Sequence, residues 1–190
     1  MIAHALTGSR VLLTAPFVFL MSQEGAPFVI LAALVLAAAV ATDVLDGLVA
    51  RRRGSATALG RVFDHAADCL FVTAGLAAGA VRGAFPWVLP VLVAAAFIQY
   101  VADSYWPRGE RGLRASTLGR WNGILYFAPL VGDVLVRAGL RALQPAVTVL
   151  AWILVASTVI SMGDRLWKLR GPWRRAAGWP AEGRGDRRPR

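Results

Sequence analysis

The chain has 190 residues, 57% of them hydrophobic and only 17% charged, with a mean hydropathy of +0.55 and a formal net charge of +10. Soluble domains run to about 45–50% apolar and about 25% charged residues, and a globule this small has too little interior to hide the excess, so a water-soluble fold and intrinsic disorder are both excluded. A single cysteine, Cys69, excludes an intramolecular disulfide scaffold.

What remains is an all-α integral membrane protein, and six apolar segments of roughly spanning length follow one another along the chain. The first covers residues 5–21, with Arg10 near its start. It has no Lys or Arg ahead of it and no small-residue cleavage site behind it, so it reads as a retained helix rather than a signal peptide. The second, 26–49, carries Asp43 and Asp46 near its end. The third, 60–81, carries Asp64 and Asp68 near its beginning. The fourth covers 85–105, the fifth 118–136 and the sixth 143–162. Long Ala/Leu/Val runs without alternation predict helices and not barrel strands. Residues 171–190 mix Pro, Gly, Trp and Arg with no helical period. They read as a basic, disordered or surface-lying tail on a single membrane domain, 1–170.

The basic residues orient these segments. With both termini in the cytoplasm, the inner side holds Arg10, then Arg51, Arg52, Arg53 and Arg61, then Arg108, Arg111, Arg114 and Arg120, and every Lys and Arg from Arg165 onward. The outer loops keep only Arg82, Arg137 and Arg141. An asymmetry of that size predicts an even number of spans and a multi-pass protein of the cell (inner) membrane. The positive charge then serves topology and contact with anionic lipid, not nucleic acid.

Charged side chains inside a span are costly and point to function. Asp43 and Asp46 are spaced i,i+3, and Asp64 and Asp68 i,i+4, so each pair projects from one face of its helix. The short connection after Arg51 lets the two pairs meet at one membrane depth. Four carboxylates in a low-dielectric site need compensation by protonation, by arginines such as Arg51 and Arg61, or by cations. An oxygen-only donor set suits hard cations such as Mg²⁺, Mn²⁺ or Ca²⁺, and two metals sharing carboxylates are a recurring device for displacement at phosphorus. His65 beside Cys69 does not make a zinc-type cluster. Gly47 and Gly60 lie one turn from Asp43 and Asp64, where a missing side chain admits either a ligand or a neighbouring helix.

Together these residues read Asp43-x2-Asp46-Gly47-x2-Ala50-Arg51-x8-Gly60-x3-Asp64-x3-Asp68. This pattern resembles the complete signature of the CDP-alcohol phosphotransferase family, and the six-segment layout extends the resemblance to most of the chain. The resemblance implies that an alcohol attacks a CDP-linked donor, usually CDP-diacylglycerol, to give a phosphodiester and CMP. It implies that Asp43, Asp46, Asp64 and Asp68 hold two divalent cations, Mg²⁺ or Mn²⁺. By the same resemblance Gly47, Ala50, Arg51 and Gly60 line the cytidine diphosphate site, Asp68 is the general base, and a homodimer is suggested. Leu6-Thr7-x2-Arg10 is similar to the family's Asn-x-Leu-Thr-x2-Arg opening, with His4 in place of Asn, and marks Thr7 and Arg10 as donor-binding. A capping Thr and an interfacial Arg are the plainer readings of that pair.

The acceptor is less legible. Asp64-His65-Ala66-Ala67-Asp68-Cys69 departs from the Asp-Pro-x-Ala-Asp-Lys of many phosphatidylglycerophosphate synthases, and also lacks the Asp-Ser/Thr start of the inositol-phosphate type. Ser116-x2-Gly119-Arg120 is similar to several phospholipid-forming members, and Arg114 and Arg120 suit a phosphorylated alcohol such as glycerol 3-phosphate. Asn122 reads either as polar helix glue or as an acceptor contact, and Asp103 and Asp133 as inter-helix or surface acids. A competing class is a non-enzymatic, ion-coupled carrier built on the intramembrane aspartates. It predicts broken helices and a polar outward path, whereas the outer halves of these segments are mostly apolar.

Overall fold

The computed structural model describes the backbone of residues 2–53, 58–105 and 117–176, and within them the side chains of 8–45, 63–102, 119 and 121–167. Every element among these residues is helical: α1 (Ile2–Ser22), α2 (Ala26–Arg53), α3 (Ala58–Val81), α4 (Val88–Tyr105), α5 (Thr117–Leu125), α6 (Phe127–Arg137), a 3₁₀ turn (Arg141–Leu143) and α7 (Gln144–Ala176). The first four helices coincide with the first four apolar segments. The fifth segment is divided at Tyr126, and the reason is Pro129. Its ring has no N–H to donate to the carbonyl of Leu125, four residues earlier, and crowds it, so α5 ends there. The helix of the sixth segment, α7, runs on to Ala176, past Gly171 where the sequence suggests a tail.

Two helices among the described residues are long and apolar enough to cross a bilayer, over Ala26–Leu45 and Arg141–Trp167, with shorter apolar stretches at Gly8–Ser22 and Val88–Ala102. Six crossings are thus more than length and composition establish. The third segment is interrupted by its aspartates and the fifth by the break at Tyr126.

Buried positions recur at helical spacing. On α1 they are Arg10, Thr14, Phe17 and Met21; on α2 Val29, Ala32, Leu36 and Ala39; on α7 Val147, Ala151, Leu154, Thr158 and Ser161. The opposite faces are apolar as well: Leu12, Ile30, Leu34, Leu70, Val91, Ile98, Ile124, Trp152 and Ile160 are all exposed. Large apolar side chains facing outward on every long helix are the inverse of a soluble surface and suit a hydrocarbon solvent.

Helix α1 packs closely against both α3 and α2. The contact with α3 is tight. Phe17 stacks on Phe71 of α3 with ring centroids 4.5 Å apart, and a Cβ at Gly75 would stand 2.6 Å from the Phe17 ring. α4 lies against α3 and α7, and α6 against α7, α2 and α3.

The end of the bundle remote from the aspartates is fastened by two helix stops and a polar clamp. α3 and α6 close with paired six-to-one and five-to-two hydrogen bonds, Ala84 N–H to Gly79 C=O with Gly83 N–H to Ala80 C=O, and Leu140 N–H to Leu135 C=O with Gly139 N–H to Val136 C=O. Gly83 and Gly139 take the left-handed conformation this motif needs, at φ +78° and +117°. Arg82 then pairs with buried Asp133 across α3 and α6. Arg137 donates to the carbonyls of Leu20 and Gln23 at the end of α1. Asp133 therefore has an inter-helix role, and Arg82 and Arg137 fix packing in addition to any bearing on orientation.

Candidate active site

The buried stripes of α1, α2 and α3 each turn polar at the same end. On α1 the stripe Met21–Phe17–Thr14 reaches Arg10; on α2 the stripe Val29–Ala32–Leu36–Ala39 reaches Asp43 one turn on; on α3 the stripe Gly75–Phe71 reaches Asp68 and Asp64. Helical periodicity alone puts these four groups at one level.

Because α1 packs on both α2 and α3, Arg10 meets aspartates from each. Its guanidinium lies 3.3 Å from Asp43 Oδ1 and 3.1 Å from Asp64 Oδ1, and pairs with Asp68 Oδ1 through the same nitrogen that holds Asp64. The Arg10 side chain is 0% exposed, whereas Asp43, Asp64 and Asp68 are 42%, 32% and 20% exposed. The site thus has a closed floor, the guanidinium, and carboxylates that open progressively toward its mouth. Asp68 is the deepest of the three.

The expected meeting of aspartates from the second and third segments is seen for Asp43, which lies against Asp64 and Asp68. The side chains of Arg51 and Arg61 lie outside the described residues, and the compensating arginine among the described side chains is Arg10 of α1. This role could have been read from the i,i+4,i+7,i+11 spacing that joins Arg10 to Thr14, Phe17 and Met21, an apolar stripe closed by a cation. Among the remaining expected site residues, Thr7 is on α1, Asp46, Gly47, Ala50 and Arg51 on the last turns of α2, Gly60 on the first turn of α3 and Arg120 on α5. Their side-chain placement lies outside the described residues, and Arg114 lies outside them altogether.

The described donors fit a hard divalent cation. Ligand atoms of Asp64, His65 and Asp68 lie within 4.8 Å of one another, and two ligands of one ion are separated by up to about twice a 2.0–2.6 Å bond. Asp43 adds a carboxylate from α2, against Asp68 and Arg10. One guanidinium leaves three ionised carboxylates two charges short of neutrality, and each carboxylate keeps part of its surface exposed. His65 itself is exposed and meets the Tyr100 ring edge-on, with centroids 5.9 Å apart. The Arg165 guanidinium sits over the same ring, 5.5 Å from its centroid, so α3, α4 and α7 share an aromatic–cation stack beside the aspartates.

Next to this region a polar seam joins α5 and α6 to α7. Ser157 Oγ donates to Asn122 Oδ1 at 2.6 Å, and the Tyr126 and Thr158 hydroxyls lie 2.7 Å apart. Thr158 Oγ1 in turn donates to the Leu154 carbonyl at 2.6 Å. Asn122 is only 3% exposed, so its described contact is that of polar helix glue.

Comparison with known proteins gives a consistent answer. The chain is 32% identical over 136 residues to a phosphatidylinositol phosphate synthase of Mycobacterium marinum (strain ATCC BAA-535 / M). That alignment takes in 66% of this chain and 56% of the relative, so the chain spans little more than half the length of that protein. No solved structure matches. The CDP-alcohol phosphatidyltransferase family model matches residues 1–164, from α1 through the greater part of α7 and including Arg10, Asp43, Asp64 and Asp68. With most of its length matched, the chain belongs to the CDP-alcohol phosphatidyltransferase family.

Proposed function

We propose that the protein transfers a phosphatidyl group from CDP-diacylglycerol to a phosphorylated alcohol and releases CMP, as a step of phospholipid biosynthesis. The convergence of Asp43, Asp64 and Asp68 from two helices on one buried arginine, within the family signature, is the observation that carries this reading. Six spans with both termini in the cytoplasm would put the aspartates at the cytoplasmic side of the cell membrane. The donor's acyl chains would then remain in lipid while its headgroup enters from water. The apolar outer faces of all the long helices and the one-sided distribution of arginine support that placement.

In this mechanism Asp43, Asp46, Asp64 and Asp68 hold two divalent cations, Mg²⁺ or Mn²⁺, which when bound supply neutralisation of the diphosphate and of the departing CMP. Arg51 offers a planar fork to a donor phosphate, and Gly47, Ala50 and Gly60 leave room for the nucleotide to approach the backbone. Thr7 and Arg10 approach the donor from α1. Asp68, deepest of the described carboxylates, accepts the proton of the acceptor hydroxyl. The acceptor oxygen then bonds to the phosphatidyl phosphorus as the bond from that phosphorus to the CMP oxygen breaks. Arg114 and Arg120 supply charge for an acceptor that itself carries phosphate. The name of the Mycobacterium marinum relative favours an inositol phosphate over glycerol 3-phosphate.

An acceptor screen tests this reading. The purified protein receives CDP-diacylglycerol, a divalent salt and either an inositol phosphate, glycerol 3-phosphate, inositol or serine, and lipid products are read by mass spectrometry. A phosphorylated phospholipid from one of the first two supports it. Product only from an unphosphorylated alcohol refutes the acceptor class.

A further inference from the structure

Arg10 is an unusual neighbour for a set of metal ligands. It is permanently charged and fully enclosed, and it spans the three described carboxylates at 3.3 Å, 3.1 Å and, for Asp68, a short pair. It uses the Oδ1 atoms of Asp64 and Asp68, two of the residues of the candidate cation cluster. Its place is fixed from behind. Arg10 sits on the buried stripe of α1 with Phe17 and Met21, and Thr14 Oγ1 donates to the Arg10 backbone carbonyl at 3.0 Å.

We propose that Arg10 is the resident counter-ion of the cluster. It substitutes for the divalent cations in the metal-free protein and competes with them for the same carboxylates. This rests on the reading of the aspartates as divalent-metal ligands, and adds a device to it. Asp43, Asp64 and Asp68 would hold the cations, whose charge would weaken the contacts of the same carboxylates with the guanidinium. With those contacts weakened, the Arg10 fork would be available to hold a phosphate of the donor. The buried arginine therefore offsets the mutual repulsion of the three carboxylates. Linkage makes the antagonism reciprocal: whatever the metals cost Arg10, Arg10 costs the metals.

The test uses the full-length protein in detergent without donor, so that no activity is involved. Thermal melting is measured in EDTA and Mn²⁺ binding by titration, for wild type, R10Q and R10K. The proposal predicts that R10Q melts well below wild type in EDTA, and that it binds Mn²⁺ at least about fivefold more tightly. R10K, with its charge kept, should fall between the two. R10Q with wild-type melting, or with unchanged or weaker Mn²⁺ affinity, overturns it. If R10Q unfolds in EDTA, recovery of a folded protein in Mn²⁺ supports the proposal and failure to recover overturns it. Absence of Mn²⁺ binding by the wild-type protein would refute the metal reading instead. The counter-ion role is then decided in EDTA alone by the R10Q/D68N double variant: it should melt above R10Q, and additive losses refute the role.

Discussion

Replacing Asp68 with Asn separates the two roles its position allows. The amide keeps the shape of the carboxylate and removes its charge and basicity. Arg10 retains Asp43 at 3.3 Å and Asp64 at 3.1 Å, so the floor of the site keeps two of its three described ion pairs. At 20% exposure Asp68 is the least open of the three carboxylates, which suits a group that meets the acceptor hydroxyl behind the donor phosphates. Losing general-base help should slow the chemical step about 10²–10⁴-fold, or about 3–5 kcal/mol in barrier height. Donor affinity at saturating divalent cation should change by less than about tenfold, under about 1.4 kcal/mol. The assay pairs single-turnover CMP release with direct binding of the CDP-linked donor to the same preparation. If donor and metal affinity fall in step with the rate, Asp68 is a ligand and not the base. If neither binding nor catalysis changes, Asp68 has no part in the site.

Three further perturbations probe the surroundings. Arg51→Lys should depress CMP release although charge is kept, because the planar fork is lost, while Arg52→Lys and Arg53→Lys are tolerated; equal responses from all three would remove the distinction. Gly75→Ala should lower thermal stability by about 1–3 kcal/mol, because the new Cβ meets a Phe17 ring that is buried and held by its stack on Phe71. An unchanged melting temperature would mean that the α1–α3 contact is looser than described. Asp133→Ala should destabilise the far end of the bundle by about 3 kcal/mol, since it leaves Arg82 half enclosed without its carboxylate, and melting of Arg82→Met/Asp133→Ala above that single variant would confirm the cause.

The order of the helices and the facing of each aspartate pair are legible in the sequence because both follow from local periodicity. Asp64 and Asp68 at i,i+4 have to share a face wherever α3 goes. The position of α1 is not legible in that way. Nothing in the spacing of Asp43 and Asp64 requires a third helix packed on both, and without it Arg10 reads as a headgroup-level cation. Its tertiary role follows from close packing at Phe17, Phe71 and Gly75, which is a matter of shape. Other features lie between these cases. The break at Tyr126 was readable from Pro129, which removes a donor four residues after Leu125. The pairing of Arg82 with Asp133 joins residues 51 apart and depends on how α3 and α6 meet.

The central claim is that the aspartates serve metal-dependent release of CMP. Its most direct measurement is CMP formed from CDP-diacylglycerol by the purified protein, with its phosphorylated acceptor, before and after chelation and on return of Mg²⁺ or Mn²⁺. The account predicts release that stops with EDTA, returns with the cation, and is abolished at every cation concentration by Asp43→Asn or Asp64→Asn. Release that persists under chelation, or wild-type release by those two variants at low metal, would contradict it.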